Sequence, residues 1–201
     1  MYNDNCYRIK TSKGITEDLV SNNGLKQGCN LSPALANIYQ NDLPEIFDTM
    51  CDQVSLGDLK FNSISWADDL LIISKSPEGL QNCLNKLQGY CFKWALEINI
   101  TKTKYMVMSR GNCTNVPAMY LENEVLEHVK QFRYLGIIIQ HNGKFKAAIK
   151  DRICKAKRAL FLVKQAVATN KNVSAKLSLS IFDKTISPIL LYACPIWCLP
   201  T

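Results

Sequence analysis

In Ser63-Ile64-Ser65-Trp66-Ala67-Asp68-Asp69-Leu70-Leu71-Ile72-Ile73-Ser74, two adjacent carboxylates interrupt an apolar, strand-like run. Asp is disfavoured inside strands, and two like charges in a core are costly unless they are paired or bound to a metal. Apolar residues on both sides predict a β-hairpin with Asp68 and Asp69 at its tip, offered to a hard divalent cation. An exposed polar turn is the other reading of the same pair. A second residue to place is Lys102, in Asn99-Ile100-Thr101-Lys102-Thr103-Lys104, for which a solvated surface lysine is the plain reading. A third is Gln27, in Gly24-Leu25-Lys26-Gln27-Gly28, where the glycines allow unusual backbone angles and close approach of a ligand.

The elements that must position these residues can be read in order. Ser32-Pro33 is a helix start, with Ser as N-cap and Pro in the first turn. Leu31, Ala34, Leu35, Ile38, Asp42 and Ile46 then predict about four helical turns behind the glutamine loop. Ser76-Pro77 repeats the device, and Leu80, Leu84, Leu87, Cys91, Trp94 and Ile98 form one apolar face. Tyr105–Met108, Val125–Val129 and Phe132–Ile139 read as strands. After a turn at Asn142-Gly143, the stripe Phe145, Ile149, Ile153, Ala156, Leu160, Val163 and Val167 predicts a long helix with its basic residues off the stripe. A last helix is expected over Ser174–Ser187, ending before Pro188. The order is mixed α and β to about residue 140 and helical beyond it, an α+β chain.

Charge sharpens the picture. Lys and Arg total 24 against 17 acids, a net of +7. Between residues 144 and 171 nine basic residues face the single acid Asp151, so that window carries +8 and the remainder sums to −1. Such asymmetry favours a polyanionic partner, with Lys150, Lys155, Arg158 and Lys164 as backbone contacts; a solvated helix face is the alternative. Nine cysteines with no C-x-x-C pair and only two histidines argue against a structural zinc site and fit reduced intracellular thiols. The most apolar segment, 186–200, is broken by Pro188 and Pro195 and is too short to span a bilayer.

Taken together, the motifs resemble the reverse transcriptase domain of non-LTR (LINE-type, jockey-like) retrotransposons. Gly24, Gln27, Gly28, Leu31, Ser32 and Pro33 match the family's G-x-x-Q-G-x-x-L-S-P signature, and Trp66-Ala67-Asp68-Asp69 its aromatic-Ala-Asp-Asp motif. Asn99, Lys102 and Thr103 match N-x-x-K-T, and Tyr134-Leu135-Gly136 the primer grip. Trp66 stands where Phe or Tyr is usual, and Ala36 where Phe is usual. The resemblance implies an RNA-directed DNA polymerase using two Mg²⁺ ions, an RNA template, a DNA primer and deoxynucleoside triphosphates, acting inside the cell, in the nucleus. Asp68 and Asp69 would hold metal, and Lys102 would meet the triphosphate. Gln27, Gly28 and Trp66 would line nucleotide and template, and Tyr134, Leu135 and Gly136 would hold the primer. Residues 1–140 would form a partial palm, an antiparallel sheet with helices on one face. Residues 141–201 would form a basic, helical thumb and connection. The family's first catalytic Asp lies on an upstream strand, and nothing in residues 1–24 matches it. The expectation is therefore an N-terminally truncated, inactive palm with Gln27 and Asp68 sharing one cleft.

Overall fold

The computed structural model describes residues 5–21, 28–48, 52–109, 111, 116–168 and 173–198. The chain is α+β and divides into two compact units, 1–97 and 98–201. The sequence-based division at residue 140 falls inside the second. Among the described residues the strands pair two by two, six pairs antiparallel and one parallel.

In the first unit, β1 (Asn5–Tyr7) pairs with β4 (Leu19–Ser21), enclosing the small hairpin of β2 (Lys10–Thr11) and β3 (Gly14–Ile15). Helix α1 (Ser32–Tyr39) carries Pro33 in its first turn, but its N-cap is Leu31 and no side chain caps it. The four turns expected from the apolar spacing are interrupted. The chain turns through 40–44 and resumes as α2 (Glu45–Asp48), because Pro44 can neither donate a backbone bond nor leave its predecessor helical. Two hairpins follow, β5 (Val54–Leu56) with β6 (Leu59–Phe61), and β7 (Ser63–Trp66) with β8 (Asp69–Ile72). Helix α3 (Pro77–Lys93) starts as the sequence predicts, with Ser76 Oγ accepting from Gly79 N at 3.0 Å. Its Leu84, Leu87, Tyr90 and Cys91 are buried, and it packs on α2, whose Phe47 is fully enclosed. Tyr90 donates to Asp42 at 2.6 Å; burial, then this carboxylate, pushes its phenol well above the ordinary value.

In the second unit, of the expected 105–108 strand only Tyr105 is in a strand, as part of β9 (Lys104–Tyr105), which pairs in parallel with β12 (Glu127–His128). The expected 125–129 strand is divided between β11 (Glu124–Val125), paired with β10 (Tyr120–Leu121), and β12. The expected 132–139 strand is a hairpin, β13 (Gln131–Tyr134) and β14 (Ile137–Gln140), turning at Leu135-Gly136. Positive φ at both loop residues, 44° and 80°, reverses the chain in two steps, as primed hairpin turns require. Helix α4 (Lys146–Ala168) packs on β14; Gln140 Oε1 accepts from Ala147 N at its start. The predicted stripe is displaced. Ile149 and Ile153 are exposed, while Ala148, Arg152 and Ala156 are buried. Helix α5 (Ala175–Ile181) is capped by Ser174 and runs through a π-helical turn (Phe182–Ile186) into α6 (Ser187–Leu191). Pro188 therefore does not end the helix. Ser187 N donates to Phe182 O, five residues back, and Pro188 sits in α6's first turn, where no N–H is needed. α7 (Cys194–Trp197) completes the unit.

Candidate active site

The β7–β8 hairpin places the two carboxylates as predicted. Trp66 pairs with Asp69 at the end of the ladder, and Ala67-Asp68 is the loop. Ala67 has φ 53°, a left-handed conformation that costs a residue with a Cβ about 1 kcal/mol. The turn leaves the Asp pair at an exposed hairpin tip. Both carboxylates are exposed, and no hydrogen bond or ion pair engages them among the described residues. Trp66 is 67% exposed, so its bulk over Phe or Tyr meets no packing constraint within these residues.

The base of this hairpin is held by polar contacts that the sequence did not announce. Asn62, 2% exposed, accepts from Ile73 N at 2.6 Å and donates to Ile73 O at 3.2 Å and Asp52 O at 3.4 Å. The Asp52 carboxylate accepts from Ser74 Oγ (2.5 Å), Ser76 Oγ (2.7 Å) and Ser76 N (2.8 Å) at the start of α3. These bonds, led by Ser74, hold its pKa below the ordinary carboxylate value. Gly79 lies so close that a Cβ there would sit 2.2 Å from Asp52 Oδ2.

The remaining candidates fall as follows. Gly28 is exposed with φ 83°, a conformation that suits glycine, whereas Gln27 lies outside the described residues, and so does its expected approach to Asp68. In the second unit, Asn99 organises the Lys102 turn. Its Oδ1 accepts from Lys102 N (3.1 Å) and Thr101 Oγ1 (2.7 Å), and its carbonyl accepts from Thr103 N (2.9 Å). Asn at the first position and Thr at the fifth thus build a turn from which an exposed Lys102 projects.

Tyr134, Leu135 and Gly136 form the end of the β13–β14 hairpin, against α4 and the segment after α6. Arg133 is bidentate to Asp151 at 2.8 and 3.0 Å, and Lys155 reaches the same carboxylate at 3.0 Å. Arg133 above all holds Asp151 well below the usual carboxylate range. Of the basic residues proposed for backbone contact, Lys150, Arg158 and Lys164 are exposed, while Lys155 is engaged by Asp151. Arg152, which the charge pattern treats like its neighbours, is 8% exposed and turned inward.

The site can serve a cation only in part. Two hard oxygen donors stand side by side, and Mg²⁺ is commonly held by one or two carboxylates together with substrate phosphates. No cluster of three His, Cys, Asp or Glu residues occurs among the described residues. Asp68 and Asp69 therefore fit as part of a donor set, the rest coming from substrate or other protein groups. No helix among the described residues is long and apolar enough to cross a membrane.

The family model described as "Reverse transcriptase (RNA-dependent DNA polymerase)" matches residues 2–139, which include the Asp-Asp hairpin, the Lys102 turn and the Leu135-Gly136 loop. The chain is 22% identical over 180 residues to the RNA-directed DNA polymerase from mobile element jockey of Drosophila funebris, covering 87% of this chain and 19% of that protein. It is 23% identical over 182 residues to its Drosophila melanogaster counterpart, covering 87% and 19%. It is 24% identical over 199 residues to the "Probable RNA-directed DNA polymerase from transposon BS" of Drosophila melanogaster, covering 94% and 21%. The chain spans about a fifth of the length of these curated relatives. With more than half its residues inside that model, the chain belongs to the reverse transcriptase (RNA-dependent DNA polymerase) family.

Proposed function

We propose that this chain supplies palm and thumb elements of an RNA-directed DNA polymerase of a jockey-like non-LTR retrotransposon, with residues 1–140 as palm and 141–201 as thumb and connection. The observation that carries the reading is the strained, exposed Ala67-Asp68-Asp69 tip lying within the family match. Polymerases of this kind work with divalent metal ions, here Mg²⁺, which neutralise charge on the attacking 3′-oxygen and the leaving pyrophosphate. Asp68 is the principal ligand and Asp69 its weaker neighbour. Lys102 meets the triphosphate, as a phosphate contact or as proton donor to pyrophosphate. Gln27, Gly28 and Trp66 line the incoming nucleotide and template base, and Tyr134 to Gly136 hold the primer end. Lys150, Lys155, Arg158 and Lys164 follow the phosphates of the RNA–DNA duplex, giving sequence-independent, salt-sensitive binding. The polymerase acts in the nucleus.

Because nothing in residues 1–24 matches the family's first catalytic Asp, the 201-residue chain on its own is expected not to extend a primer and to retain only nucleic-acid binding. Joined to the upstream polymerase sequence of a jockey-like relative, it gives Mg²⁺-dependent, RNA-templated DNA synthesis. Asp68→Ala in that fusion lowers synthesis by about a thousandfold, the several kcal/mol a bound metal supplies. A folded fusion that extends no primer would overturn the enzyme reading and leave the binding one.

A further inference from the structure

Both carbonyls of the Leu135-Gly136 loop are taken by side chains from distant parts of the chain. Tyr192 OH donates to Leu135 O at 2.9 Å, and the Arg152 guanidinium donates to Gly136 O. Arg133 Nη1 adds a longer bond to Gly136 O at 3.3 Å. Arg152 also lies over the Tyr192 ring, 4.6 Å from its centroid, so the two donors brace each other. The loop they hold is strained, since Leu135 has φ 44°, and it is presented outward, with Leu135 38% exposed.

The left-handed leucine belongs to the hairpin turn, but a staple serving only to join β13–β14 to α4 would not need hydrogen bonds to both loop carbonyls. The arrangement has an electrostatic consequence. Carbonyl oxygens at a hairpin tip are negative dipole ends and would repel a phosphate chain. Here both oxygens are satisfied by donors, one of them a buried cation, and Arg133 lies alongside. The tip is thereby made compatible with a polyanion and fixed in one conformation.

We infer that Arg152 and Tyr192 are positioning residues, which set the Tyr134-Leu135-Gly136 tip to receive the primer-strand backbone near its 3′ end. This rests on the primer-holding role proposed above. It gives Arg152, a member of the basic window, a role apart from the phosphate contacts Lys150, Lys155, Arg158 and Lys164, and brings the segment after α6 into the primer site.

The test uses the 201-residue chain, with two binding substrates and one spectrum. The substrates are an RNA template–DNA primer with a recessed 3′ end and a blunt duplex of equal length; the spectrum follows the Leu135 and Gly136 amides by NMR. Tyr192→Phe and Arg152→Lys should each shift those amides and weaken recessed-end binding by roughly two- to tenfold, the loss of one hydrogen bond. Blunt-duplex affinity should hold. Unmoved amides would overturn the clamp. If the amides shift and recessed-end affinity holds, while Leu135→Ala lowers it, the tip meets the primer without help and the positioning role fails. If the wild-type chain does not distinguish the two substrates, the primer-holding reading fails, and the positioning role with it.

Discussion

Asp151→Asn separates stability from nucleic-acid binding. The carboxylate is 17% exposed, bidentate to Arg133, 3.0 Å from Lys155 and 3.7 Å from Arg152. Hydrogen bonds to charged groups contribute about 1.5–3 kcal/mol, whereas exposed ion pairs contribute about 0–1. Arg133 and Lys155 are 45% and 40% exposed, which places the loss between these limits, at about 2 kcal/mol. In a unit of this size that is a fall of about 10 °C in melting temperature. The folded pKa of Asp151 lies below its ordinary 3.8, so this stabilisation is present above about pH 4 and lost as the pH falls below it. Wild type and variant should therefore differ at pH 7 and converge as the solution is acidified. Binding should move the other way. The variant frees Arg133 and relieves Lys155 of its competing carboxylate, so duplex affinity at low salt rises and the log–log salt slope steepens by about 1 if Arg133 gains a phosphate. Circular dichroism melts and anisotropy titrations measure the two effects. An unchanged melting temperature at pH 7, or a difference that persists in acid, would refute the charge-cluster reasoning.

Two further substitutions probe the supports of the site. Gly79→Ala, a change that normally favours a helix by about 1 kcal/mol, should instead lower the melting temperature, since the new Cβ would lie 2.2 Å from Asp52 Oδ2 and 2.4 Å from Ser74 Oγ; a rise would contradict the packing at the base of the β7–β8 hairpin. Asn99→Ala should cost about 1 kcal/mol by removing the Oδ1 acceptor of the Lys102 turn, and should speed hydrogen exchange at the Lys102 amide; unchanged exchange would mean that Asn99 does not order that turn.

What the sequence revealed depended on how local each signal was. Asp68 and Asp69 were legible because they interrupt strand-forming residues, and Ser76-Pro77 because a cap needs only its own next few residues. Pro44 lies inside the apolar spacing that predicts four turns, and spacing alone carries no record of a residue that cannot donate a backbone bond. The fold settled the matter locally, in favour of the proline. Leu135-Gly136 carries no Asn-Gly or Asp-Gly signal, so the hairpin read as one strand. Arg152 looked like another solvated base, because charge patterning cannot see that its partners are Gly136 and Tyr192. Asp52 was invisible for the same reason, as it bonds residues 22 and 24 positions away.

The central claim, that Asp68 and Asp69 form a cation-holding pair, can be measured on this chain directly. Trp66 pairs with Asp69 at the tip, close enough to sensitise Tb³⁺ bound by the carboxylates. Titration should give saturable Tb³⁺ luminescence on Trp excitation, displaced by Mg²⁺ and lost in Asp68→Asn and in Trp66→Leu. Saturable luminescence that survives Asp68→Asn, or none in the folded wild-type chain, would contradict the account.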